Sequence, residues 1–197
     1  MTRIGLLSDT HSWIYEGIFD FFSNCDQVWH AGDIGDLTTY EQLRDFRPLR
    51  AVYGNIDGIS IRRLCPEVEL FQCEQLKVMI KHIGGYPGRY DKSARPLLEK
   101  EMPDLFISGH SHILKVIYDE KRKLMHMNPG AAGRYGLHTM ITCLRFSIDG
   151  RNIKDLEILE KEKNRKDSRR HGFTVFPCLY HWQPFSWYYR SSFKIAI

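Results

Sequence analysis

Five short apolar runs in this chain end in the same manner. Ile4-Gly5-Leu6-Leu7 stops at Asp9-Thr10-His11, and Gln27-Val28-Trp29 stops at Ala31-Gly32-Asp33. Leu49 to Tyr53 stops at Gly54-Asn55-Ile56-Asp57, Leu76 to Lys81 at His82-Ile83-Gly84-Gly85, and Leu105-Phe106-Ile107 at Gly109-His110-Ser111-His112. Runs of this length, bounded by glycine, suit strands rather than helices. Helix-spaced segments lie between them. Residues 14–23 place Ile14, Ile18, Phe21 and Phe22 on one face, and Thr38 or Thr39 is positioned to cap a helix running to Phe46, ahead of Pro48. Ser93 to Met102 reads as a helix with Pro96 in its first turn, where a missing N–H costs nothing. Val68–Cys73 and Leu76–Lys81 form a predicted hairpin. From Ile113 the period becomes two, and Ile113–Tyr118, Leu124–Met127, His138–Ile148 and Ile153–Leu159 read as antiparallel strands. The fold class is therefore α/β, with parallel strands early and antiparallel strands late.

Ligand sites in open α/β sheets lie beyond the carboxyl ends of the strands, and that is where Asp9, His11, Asp33, Asn55, His82, His110 and His112 fall. Packing does not ask for such side chains at five strand ends. Imidazole, carboxylate and amide oxygen together suit Mn²⁺, Fe²⁺, Ni²⁺ or Zn²⁺. Asp9 and His11 are two residues apart, so in extended backbone both face one ion. His110 and His112, in a tight loop, can splay to two neighbouring ions. Glycine before Asp33, Asn55 and His110 lets the backbone turn sharply there. Two divalent ions against the carboxylates of Asp9 and Asp33 leave about two positive charges, which suits a phosphate. Two metals ~3.5–4 Å apart hold a water between them, lower its pKa toward ~7, and stabilise both oxygens of an in-line displacement. No protein nucleophile is then required.

Charge and cysteine content narrow the alternatives. Residues 160–197 hold eight Lys/Arg against three Asp/Glu, whereas residues 1–159 hold 20 against 21. The basic character belongs to the tail, and the body offers no strong nucleic-acid signal. The five cysteines form no CxxC pair and read as buried thiols rather than a disulfide framework. No apolar stretch reaches the length of a transmembrane segment, and no leader pattern opens the chain, so a cytoplasmic location is expected.

The ordered set Asp9-Thr10-His11, Gly32-Asp33, Gly54-Asn55, His82 and Gly109-His110-Ser111-His112 resembles the calcineurin-like metallophosphoesterase superfamily. The compact spacing, with Asn128-Pro129-Gly130 and Arg134, is most similar to its small YfcE-like prokaryotic phosphodiesterases, which are close to the retromer-subunit-like scaffold proteins. The resemblance covers residues 1–159 and implies a two-sheet β-sandwich flanked by helices, in four α-β-β-α layers. It further implies two divalent ions per chain, manganese foremost, with nickel, iron, zinc and magnesium as the other candidates. One ion would take Asp9, His11, Asp33 and His112, and the other Asp33, Asn55, His82 and His110. Asp33 would bridge them together with the attacking hydroxide, and Asn55 and His110 would lie near the phosphate. Many members carry His directly after Gly-Asn; here the residue is Ile56, which cannot donate a proton, while Asp57 remains.

Other residues have plainer readings. Asp36 and Asp57 could be carboxylates behind the ligands, and His30 could either orient a ligand or be simply buried. Arg89 and Arg134 could touch phosphate, though solvated loop arginines are the default. His126 and His138 alternate with apolar residues and read as structural. Gly84–Gly88 is read as a turn beside His82. Residues 160–170 are expected to form a solvated helix end or linker. Residues 171–197 hold nine of the 25 aromatic residues and show no clean period, so residues 160–197 stand as an extension of unassigned role. The expected activity is metal-dependent hydrolysis of phosphate esters, specifically phosphodiesters. A protein-binding scaffold of the same fold is the alternative, and a homo-oligomer is compatible with either.

Overall fold

Alternation within single strands decides which side chains reach which layer. The computed structural model describes residues 1–163 and 174–177. In chain order the elements are β1 (Thr2–Leu7), α1 (Gly17–Phe21), β2 (Gln27–His30), α2 (Leu37–Phe46), β3 (Leu49–Ala51), α3 (Ile59–Leu64), β4 (Val68–Cys73), β5 (Leu76–Lys81), β6 (Gly85–Tyr86), β7 (Arg89–Tyr90), α4 (Arg95–Glu101), β8 (Leu105–Ile107), β9 (Leu114–Asp119), β10 (Leu124–Pro129), β11 (Met140–Asp149), β12 (Asn152–Glu162) and β13 (Thr174–Pro177). One sheet has six strands in the order β13-β12-β11-β1-β2-β3, and the other five in the order β4-β5-β8-β10-β9. A two-stranded ribbon, β6-β7, stands apart.

The sheets pack face to face. Leu6 and Trp29 of the first sheet meet Val78, Ile80, Leu105 and Ile107 of the second in the inner core. The alternate residues point outward: Leu7 and Val28 pack against Ile18, Phe21 and Leu43 of α1 and α2, and Met79 and Phe106 pack against Leu98 of α4. This is the expected layering of helix, sheet, sheet and helix. Trp29 is fully buried, edge-on to Phe71 at 5.0 Å and to Phe146 at 6.0 Å. Truncating a side chain so placed costs ~3–5 kcal/mol. Cys25, Cys65, Cys73 and Cys143 are buried free thiols; burial pushes the Cys65 thiol up to about 12. Cys178 lies outside the described residues.

Each sheet contains a parallel triplet: β1-β2-β3 in one and β5-β8-β10 in the other. Their carboxyl ends meet at one rim. Antiparallel strands flank both triplets, so the two kinds of pairing are interleaved in the chain rather than divided into early and late.

Several boundaries differ from expectation for identifiable reasons. Only Gly17–Phe21 of residues 14–23 is helical. His11 N–H and Ser12 N–H donate to the carbonyls of Asp33 and Ile34, and both residues have positive φ, which holds the chain at the rim before a helix can start. The cap of α2 is Asp36, whose carboxylate accepts from Thr39 N–H at 2.8 Å; Thr39 is inside the helix, and Asp36 is a capping group rather than a support for the ligands. Glu160–Glu162 continue β12 instead of forming a linker, and β13 pairs with β12 from Glu157↔Pro177 to Glu160↔Thr174. Pro177 is compatible with that position because β13 is an edge strand. Residues 164–173 and 178–197 lie outside the described residues. Among the described residues no helix is long and apolar enough to cross a membrane.

Candidate metal centre

All seven side chains singled out in the sequence come together at the shared rim, in two adjoining groups. Ligand atoms of Asp9, His11 and His112 lie within 4.8 Å of one another, and so do those of Asp33, His82 and His110. Asn55 joins the second group, its Oδ1 being 3.2 Å from His82 Nε2. The groups are contiguous: His82 Nε2 is 3.2 Å from Asp33 Oδ1 and 4.0 Å from Asp9 Oδ1, and His110 N–H donates to Asp9 Oδ2 at 3.1 Å.

The backbone here is forced into an uncommon shape. Asp9, His11, Asp33, His110 and His112 all have φ between 49° and 66°. Asp and His tolerate the left-handed region better than most residues, yet each such conformation can cost ~1–3 kcal/mol and persists only where its surroundings over-determine it. Crossing backbone hydrogen bonds provide that constraint. Asp9 N–H donates to Gly32, Gly109 N–H to His82, and Ala132 N–H to Ser8. Gly54 lies against the Asp33 carboxylate, and a methyl group there would overlap it.

Buried side chains lock the loops further. Asp57 is 3% exposed and accepts three backbone N–H bonds, from Gly35 at 2.7 Å, Gly54 at 2.7 Å and Ile34 at 3.2 Å. It thereby ties the loop bearing Asp33 to the loop bearing Asn55. Asn128 donates to the Gly109 carbonyl and to Ser111 Oγ, bracing the loop of His110 and His112. His30 accepts from Gly32 N–H through Nδ1, so Nε2 carries its proton and donates to Thr10 Oγ1. Burial pushes His30 down to about 4, and it stays neutral. Its bonds hold backbone and a hydroxyl, not a ligand side chain.

Hydrogen-bond logic fixes where the imidazole lone pairs point. His82 Nδ1 lies 2.7 Å from the Ala31 carbonyl, which can only accept. Nδ1 therefore carries a proton, and Nε2 faces Asp33 Oδ1 and Asn55 Oδ1, donating there when the ring is charged and offering its lone pair to an ion when it is neutral. In the other group, His138 Nε2 faces the Gly133 carbonyl at 3.0 Å and must donate. His138 Nδ1 is then an acceptor, and His112 Nδ1, 3.2 Å away, donates to it. The lone pair of His112 Nε2 points at Asp9 Oδ1, 3.3 Å distant, and at His11 Nε2, 3.4 Å distant. Asp9 Oδ1 is buried and has no hydrogen-bond donor. Acceptors converging on acceptors, around a fully buried carboxylate, are unfavourable unless a cation lies between them. The donor set fits divalent ions on that ground. His138 was read from the sequence as structural; its position behind His112 makes it the group that selects the tautomer, a placement common behind metal-binding histidines.

The charge environment differs between the groups. Burial holds His11 below its ordinary pKa, outweighing the attraction of Asp33 and Asp9. Burial also acts on His82, but the Asp33 hydrogen bond and the charges of Asp9 and Asp33 override it and leave His82 raised. Asp33 shows the reciprocal effect: burial pushes it up, and the His82 contact with the Ile56 N–H bond brings it below the usual carboxylate range.

Comparison with known proteins gives the family. Residues 2–151 match the calcineurin-like phosphoesterase superfamily domain. The chain belongs to that superfamily. It is 34% identical over 134 residues to a probable metallophosphoesterase of Methanocaldococcus jannaschii, covering 65% of this chain and 67% of that protein. It is 32% identical over 164 residues to a probable metallophosphoesterase of Methanothermobacter thermautotrophicus, covering 79% and 91%. The zinc complex of Entamoeba histolytica Vps29 shares the fold, with a TM-score of 0.65 at 18% identity, covering 88% of this chain and 97% of that one. The superfamily implies phosphate-ester substrates and divalent metals.

The remaining sequence candidates separate in this phosphoesterase. Arg134 lies over the Trp13 ring at 3.9 Å. Ile56, in the place of the common histidine, is 46% exposed, and its N–H donates to Asp33 Oδ1. Arg89 lines a cleft next to His110. His126 is fully buried and within hydrogen-bond distance of Ser108 Oγ, in keeping with a structural role. Tyr135 was not singled out; it is 71% exposed and stands edge-on to His11 at 5.2 Å.

Proposed function

We propose that this chain is a cytoplasmic phosphodiesterase that uses two divalent cations, manganese foremost, with nickel, iron, zinc or magnesium as alternatives. The observation that carries the reading is the buried, donor-less Asp9 Oδ1 facing the His112 Nε2 lone pair, with Asp33, His82 and His110 gathered beside it. When bound, the ions supply Lewis-acid stabilisation of the phosphoryl oxygens and a hydroxide at neutral pH.

The residues of this chain do the positioning. Asp9, His11 and His112 would hold one ion and Asn55, His82 and His110 the other, with Asp33 available to both. Asn55 and His110 would lie near the phosphate. Held rings and carboxylates need no reorganisation as charge develops, which is the main source of rate in such sites. Ile56 offers no proton to the departing oxygen. A positioned general acid is typically worth ~10²–10⁴-fold, so esters with good leaving groups are favoured over alkyl esters. The test is hydrolysis of bis(p-nitrophenyl) phosphate by the folded, manganese-loaded protein. Turnover of this ester with much slower turnover of an alkyl diester is expected; no turnover with any of the five metals overturns the reading.

The scaffold alternative retains support from the Vps29-like fold. The lone pairs turned toward one another at the rim mark the cation site that hydrolysis needs, and turnover decides between the two readings. Removing residues 178–197 discriminates while sparing β13: turnover persists in an enzyme whose machinery is the rim.

A further inference from the structure

A cleft of about 290 Å³ opens beside the second group of ligands and shares His110 with it. Its lining includes Arg89 and Tyr86 of the β6-β7 ribbon and Lys115 of β9. Neither cation has a carboxylate partner among the described residues. Lys81, by contrast, is paired with Glu67 at 2.6 Å and Arg122 with Glu99 at 3.4 Å. Asp91 is the one acidic residue on the lining, and its Oδ1 accepts from Ser93 N–H and Ser93 Oγ. Two unpaired cations at this spot do not reflect a generally basic body, since residues 1–159 hold 20 Lys/Arg against 21 Asp/Glu.

We infer that this cleft is a subsite for a compact, anionic arm of the substrate, so that the ester cleaved at the rim carries a second phosphate or carboxylate on one of its alcohols. The inference rests on the phosphoesterase reading above. Three features support it. The cleft adjoins His110, so an arm lying in it stays attached to a phosphoryl group at the ligands. Lys115 Nζ sits 3.5 Å from the centre of the Tyr86 ring, which holds the ammonium in place over one ring face. The volume lies at the lower limit of ordinary ligand pockets, enough for a sugar- or glycerol-sized group. Arg89 adds the planar fork that matches phosphate or carboxylate in two-point contact.

The test compares arms on a common leaving group. The manganese-loaded protein is assayed with p-nitrophenyl diesters whose second alcohol is ethanol, 2-phosphoethanol or glycolate. We expect kcat/KM for one of the anionic arms to exceed that for the ethyl arm by about 10-fold or more, through KM. Lys115→Met and Arg89→Met should each reduce that ratio several-fold, and Lys115→Arg should restore it. A ratio near one, or a ratio unmoved by either substitution, overturns the subsite. Calorimetry gives a readout independent of turnover. Ethane-1,2-bisphosphonate or 3-phosphonopropionate should bind about 10-fold more tightly than ethylphosphonate, with the advantage lost in the double variant; equal binding overturns the inference. The stronger of the two probes identifies the anion. If no ester is hydrolysed, the phosphoesterase reading fails, and calorimetry still decides the subsite.

Discussion

The two groups of ligands at the rim are built from the same residue types but are held differently. His82 is oriented by the backbone carbonyl of Ala31, at 2.7 Å, in a loop that Asp57 ties down through three N–H bonds. His112 is oriented by another side chain, His138, which is itself anchored on Gly133. The second group therefore depends on main chain set by strand geometry, and no substitution at Ala31 removes its carbonyl. The first depends on a chain of two imidazoles that a single mutation can cut. The flanks differ as well: the exposed Tyr135 ring adjoins His11, whereas a cleft with two cations adjoins His110.

This contrast can be broken from either side. The largest effect is expected from His82→Ala, which removes a lone pair between Asp33 and Asn55. Metal content measured by plasma mass spectrometry should fall from two ions to one per chain, and turnover should fall more than ~100-fold, since even a partner behind a ligand is worth ~10–100-fold. Next comes His138→Phe, which leaves His112 without its acceptor. Affinity for the more weakly held ion should drop ~10–100-fold while the other is retained, and His138→Gln, which keeps an acceptor, should recover part of it. Equal loss at both positions would show that the groups are not independently braced.

Asp57→Ala sharpens the comparison through stability. It strands three backbone donors, and a loss of about 2–4 kcal/mol, or roughly 5–15 °C in Tm, is expected by calorimetry. The smallest effect is that of pH. A proton competes with the metal for an imidazole lone pair. His82 is raised and His11 lowered relative to the ordinary value, so as pH falls His82 protonates first. Manganese titrations from pH 7.5 down to about 5.5 should show the second group losing its ion at the higher pH.

The rim was legible in the sequence because its residues follow strands whose alternation is unambiguous. Leu6 and Leu7, or Ile80 and Met79, divide between inner and outer cores as a period of two requires. The missed features lacked such a signal. α3 spans Ile59–Leu64, but Ile59 and Leu64 are more than half exposed and Ile61 is its one buried residue, so no apolar stripe marks it. The β6-β7 ribbon is two residues per strand. α1 was overextended because Ile14 packs with the helix without belonging to it. His138 sits among alternating apolar residues, and its role comes from contact with His112, which lies 26 positions earlier. Asp36 was passed over because two threonines follow it within three residues and the register of a cap cannot be chosen from composition alone.

Everything above depends on cations residing where lone pairs and buried carboxylates converge. Anomalous diffraction from manganese-soaked crystals tests this most directly. Two peaks are predicted, one among Asp9, His11 and His112 and one among Asp33, Asn55, His82 and His110, with Asp33 in contact with both. Manganese peaks confined to surface carboxylates, with His82 and His112 bonded only to protein, would contradict the account.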